Sequence, residues 1–114
     1  MLTIAIVMLT NCVQKSGVKT VIVKLHVNGI KNIQSVGLRG NDQPLSWDYD
    51  MELVPLAKDS IYTATFSILT GYKFTEAKFT VNGQFELNES DNRKIIFSEN
   101  DTTVYEAVFD RVSR

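Results

Sequence analysis

The chain has 114 residues, 44% hydrophobic and 22% charged, with a net charge of −1. That is room for one domain and too little for two of ordinary size, in a balance that indicates neither disorder nor a fibrous repeat. Its Lys and Arg are scattered rather than clustered against phosphates, which argues against a nucleic-acid partner. One cysteine excludes an internal disulfide framework and a cysteine-based zinc site.

In chain order, Met1 to Leu9 is uncharged and almost wholly apolar, but well short of the ~20 residues that span a bilayer. It matches the apolar region of a signal peptide. Leu9-Thr10-Asn11-Cys12 resembles the lipobox of bacterial lipoproteins, in which the cysteine is lipidated and becomes the mature N-terminus. Asn11 stands where Gly, Ala or Ser is usual. The alternative is an edge strand over Leu2 to Leu9 with Cys12 as a small buried hydrophobe. Residues 1–17 are therefore expected to be leader, anchor and tether, and residues 18–112 the folded domain.

Val21, Val23, Leu25 and Val27 share one face of a strand, with Lys24 and His26 opposite. Asn28-Gly29 turns the chain, and Ile33 to Arg39 forms a second strand. The run Gly40-Asn41-Asp42-Gln43-Pro44 breaks it and delivers the sole tryptophan, Trp47, at the end of a loop. Met51 to Leu56 is extended, with Pro55 marking an edge position because it cannot donate to a ladder.

Ile61 to Ile68 alternates strictly, with Tyr62, Ala64, Phe66 and Ile68 on one side. Phe74 to Val81 repeats the pattern, Ala77, Phe79 and Val81 inward and Glu76, Lys78 and Thr80 outward. Asn82-Gly83 is a hairpin turn leading into Gln84 to Leu87. Arg93 to Phe97 and Thr103 to Asp110 complete the set.

No apolar i, i+3, i+4 pattern persists for ten residues, so no substantial helix is expected. The fold class is all-β: an antiparallel, immunoglobulin-like β-sandwich of seven to eight strands, its core holding Val23, Leu25, Phe66, Phe79 and Phe109. The Cys and Trp signature of antibody domains is missing, so the label describes architecture alone.

Catalysis needs a nucleophile with a base, a metal or a placed carboxylate pair. The single histidine, His26, lies on an outward face with no evident partner. Asp42, Asp48, Asp50 and Glu52 lack the fixed spacing of a helix-loop-helix calcium site. Neither enzyme activity, metal nor cofactor is expected. Trp47 is then either a core anchor or an exposed stacking surface, since indole offers a flat apolar face and one N–H donor.

The order Val36-Gly37-Leu38-Arg39-Gly40, Pro44-Leu45-Ser46-Trp47-Asp48, Leu53, Tyr62, Ala77-Lys78-Phe79, Phe85-Glu86 and Asn92-Arg93 resembles the starch-binding domains of carbohydrate-binding module family 20. The resemblance runs from about Val18 to Asp110. It implies a starch-like α-glucan partner, with Trp47 and Phe85 as stacking platforms and Lys78, Glu86 and Asn92 as hydrogen-bonding partners of sugar hydroxyls. Ser46 replaces the family's glycine, and Tyr62 stands at a usually tryptophan position with an expected structural role. Gly29 and Ile30 occupy the place of the family's second-site tyrosine, so no second site is carried over. The function so implied is a non-catalytic α-glucan-binding module, lipid-anchored in a bacterial cell envelope. The alternative is a structural or protein-interaction sandwich without a sugar site.

Overall fold

Two-residue alternation of apolar side chains buries one face of each long strand, and two such faces need each other. In the computed structural model, which describes residues 16–112, nine strands meet this need as two sheets. They are β1 (Gly17–His26), β2 (Val36–Gly40), β3 (Met51–Glu52), β4 (Val54–Ala57), β5 (Ile61–Thr70), β6 (Phe74–Val81), β7 (Gln84–Phe85), β8 (Arg93–Ile96) and β9 (Thr102–Val108). The first sheet runs β4-β5-β1-β9 and the second β3-β2-β6, with β7 and β8 both paired to β6. The expected leader and Cys12 lie outside the described residues.

Between the sheets, Val21, Val23, Leu25, Leu38, Phe66, Ile68, Phe79 and Ile95 form the buried core. Four of the five expected core residues are buried, whereas Phe109 is half-buried and packs against the core. Tyr62 is buried, its hydroxyl accepting from the Asp59 amide at 3.3 Å.

The expected single strand over Met51 to Leu56 is two, which takes the count from eight to nine. Leu53, buried, still donates its amide to Val36 O, but beyond it the chain leaves β2 and pairs with β5. Pro55 does sit in an edge strand, β4. The expected strand from Ile33 starts three residues later, because the amides of Gln34 and Ser35 are taken by Asn82 Oδ1 at 2.6 and 3.1 Å. Asn82 (φ 52°) and Gly83 (φ 78°) form the tight turn between β6 and β7, both in the positive-φ region that such hairpins require. One pairing departs from the antiparallel rule: β1 and β9 run parallel from Thr20↔Thr102 to His26↔Val108.

Candidate functional site

Phe74, Glu76, Lys78 and Thr80 alternate along β6 with the core-facing Thr75, Ala77, Phe79 and Val81; the first three are at least partly exposed, whereas Thr80 is fully covered on its side of the sheet. Register places Arg39 opposite Lys78, Gly37 opposite Thr80, and on the other flank Phe85 opposite Thr80. This outer face of the second sheet collects most of the residues singled out in the sequence.

Trp47 reaches it from the loop after β2. Leu45, 3% exposed, anchors that loop in the core, and Asp42 Oδ2 accepts from Thr75 Oγ1 at 2.6 Å. The Asn41 amide is held by Glu76 O at 3.0 Å. Trp47, two residues past Leu45, is half-buried but belongs neither to the core nor to the residues packed on it. Its ring centroid lies 6.3 Å from that of Phe85 with the planes tilted by 47°. The indole N–H donates to Asn41 Oδ1 at 2.6 Å, which fixes the ring and uses its one donor.

Arg39 ties the pair to the sheet. Its Nε donates to Asp50 Oδ1 at 2.8 Å and its Nη1 to Trp47 O at 2.9 Å, while the guanidinium carbon sits 5.1 Å from the Phe85 centroid, within cation–π range. Asp50 also accepts from Thr80 Oγ1 at 3.0 Å. Gly37 makes room for this, since a Cβ there would lie 2.6 Å from Asp50 Cγ and 2.7 Å from Thr80 Oγ1. Beside the tryptophan, an open depression of ≈ 540 Å³ is lined by Asn41, Gln43, Pro44, Asp48 and the exposed Tyr49 among others.

No protein-family model matches this chain, and no curated protein matches it either.

Lys78 projects from the same face. Its Nζ donates to Leu87 O at 2.8 Å and Ser90 O at 3.2 Å, leaving one of the ammonium's three donors. Asn92 lies further along, its Nδ2 donating to Glu76 Oε1 at 3.1 Å. Four of the five residues implied by the resemblance, Trp47, Lys78, Phe85 and Asn92, thus stand on or beside one face, and Trp47 and Phe85 are in contact.

Glu86 does not join them. Alternation sends it inward where Phe85 goes outward, and it is fully buried. Its carboxylate accepts from Arg93 Nε at 2.6 Å and Arg93 Nη2 at 2.8 Å, a bidentate pair. It also accepts from the amides of Phe79 at 2.8 Å and Asp110 at 3.0 Å. Arg93 in turn donates to Val108 O and Arg111 O. Leu87, held at φ 51°, gives its amide to Asp110 Oδ1 at 2.7 Å. The side chain expected to meet sugar instead joins β6, β7, β8 and the end of β9, and sets the backbone that carries Phe85.

His26 does face outward, but it has a partner: its Nε2 is 2.6 Å from Glu106 Oε2. That hydrogen bond holds the Glu106 carboxyl below the usual carboxylate value. Among the described residues no group of three His, Cys, Asp or Glu gathers as a metal cluster. Asp42 and Asp50 are occupied by Thr75, Arg39 and Thr80.

Proposed function

We propose that the domain is a non-catalytic carbohydrate-binding module for starch-like α-glucans. The observation that carries this is the Trp47–Phe85 pair, two rings 6.3 Å apart and angled at 47° on the outside of a sheet. Tilted rings fit the C–H faces of a helically curved glucan and fit a flat β-linked chain poorly. Lys78 and Asn92 supply hydrogen-bonding groups nearby. The apolar leader and Cys12 extend the proposal to a module tethered at a bacterial envelope, in which case protein made from its native gene would carry a lipid mass on Cys12.

Affinity electrophoresis through gels containing amylopectin, glycogen or a β-glucan tests this directly. Retardation is expected in the first two only. Trp47→Ala should remove a platform, weakening binding by about 1 to 3 kcal/mol, roughly fivefold to 150-fold in dissociation constant, with little change in melting temperature. Unchanged retention of Trp47→Ala on amylopectin would refute the site.

A specific observation favours the alternative, a protein-interaction sandwich. On the outer face of the first sheet Val18 and Leu69 are cross-strand neighbours, 59% and 72% exposed, and Val104 is 57% exposed beside Ile22. Substitutions there that shift the oligomeric state while leaving glucan retention intact would assign that face separately.

A further inference from the structure

The face that carries Trp47 and Phe85 does not end with them. Six residues back along β6 from Thr80, about 20 Å at strand rise, Phe74 projects on the same side and is 40% exposed. Ile96 is its cross-strand neighbour, 67% exposed, and Lys94 Nζ lies 5.1 Å from the Phe74 ring centroid. Tyr72, in the turn leading into β6, is 72% exposed.

Between the two aromatic ends the face is polar. Lys78 retains a donor beyond its two carbonyl contacts, and Glu76, holding Asn92 through Oε1, has Oε2 without a partner among the described residues. We infer that this face is one extended glucan track, in which Phe74 and Tyr72 form a distal platform that engages only chains of several sugar units. The inference rests on the glucan-binding reading of Trp47 and Phe85.

The alternation itself identifies the occupant. A protein partner is favoured by a contiguous apolar patch with its polar groups at the rim. Here the polar groups, Lys78, Glu76 and Asn92, lie at the centre and the rings at the ends. A polysaccharide repeats both chemistries, C–H faces for rings and hydroxyls for amine, carboxylate and amide, along its length. Two cations flanking one carboxylate also make a poor polyanion surface.

Chain length is the readout, because it separates the distal platform from the proximal one. In titration calorimetry, the wild-type protein should bind maltoheptaose about tenfold more tightly than maltotriose, the size of effect expected for one added stacking contact. Phe74→Ala should erase that difference and leave maltotriose unchanged. Tyr72→Ala should reduce it, and Trp47→Ala should weaken both sugars. Both distal side chains are exposed, and a melting temperature equal to wild type verifies folding. If Phe74→Ala and Tyr72→Ala bind maltoheptaose as the wild type does while Trp47→Ala does not, the extended track is overturned and the Trp47–Phe85 site stands. If the wild type binds neither sugar, both fall together.

Discussion

Replacing Glu86 by alanine removes a fully buried carboxylate that accepts four hydrogen bonds, two from Arg93 and one each from the amides of Phe79 and Asp110. Arg93 is only 5% exposed, so its charge keeps its desolvation cost and loses the bidentate Glu86 carboxylate. Breaking a buried pair from one side costs about 3–5 kcal/mol, and two stranded amides push towards the upper end. Against a total stability of about 5–15 kcal/mol, this predicts a melting temperature roughly 12–40 °C lower for a domain of this size.

Thermal and urea melts followed by far-ultraviolet circular dichroism would measure it. Glu86→Gln keeps one acceptor and should lose less. Glu86→Leu combined with Arg93→Met should recover part of the loss, since both charges leave together while the amides of Phe79 and Asp110 still lack their acceptor. A Glu86→Ala protein melting within about 2 °C of wild type, far under the cost of a broken buried pair, would refute the structural role. If such a protein also lost glucan retention, Glu86 would be a ligand contact, as the family resemblance implies.

Gly37→Ala should push Asp50 off Gly37 and Thr80, since the added Cβ falls 2.6–2.7 Å from their atoms; the expected cost is about 1–3 kcal/mol, and an unchanged urea midpoint would contradict it. The hydrogen bond from His26 depresses the Glu106 carboxyl, so its stabilisation is present above the unfolded-state value and is lost as pH falls through the folded-state one. His26→Ala should therefore raise the Glu106 midpoint in an NMR titration, and an unmoved midpoint would rule that cause out.

Strict alternation made β1, β5 and β6 legible before any coordinates, and with them most of the core. What the sequence hid were the points where distant segments compete for backbone groups. Asn82 captures the amides of Gln34 and Ser35, which delays β2, and the switch of sheets at Leu53 divides an unbroken extended run. At the site, parity along β6 was enough to put Lys78 outward, but along Phe85-Glu86-Leu87 it left open whether Phe85 or Glu86 faces the core; the pairing of Phe85 with Thr80 turns Phe85 out and Glu86 in. Arg39 shares the parity of Gly37 and lies close to Trp47 in sequence, which by itself assigns it no role. Its significance lies in Asp50 and Phe85, 11 and 46 positions away in sequence. Phe74 shares the outward parity of Lys78, but the family resemblance assigns nothing to it.

The parallel pairing of β1 with β9 has a mechanical consequence. Because the two strands run the same way, the chain enters the sandwich at one pole, beside Gly17, and leaves at the other, beyond Val108. Tension applied between the two ends pulls β1 and β9 in opposite directions along their common axis. Seven paired positions, Thr20↔Thr102 to His26↔Val108, then share the load as shear, whereas strands peeled apart from one end would fail one bond at a time. Load between the two ends thus runs through β1 and β9 of the first sheet, and the second sheet, which carries Phe85, contains neither strand.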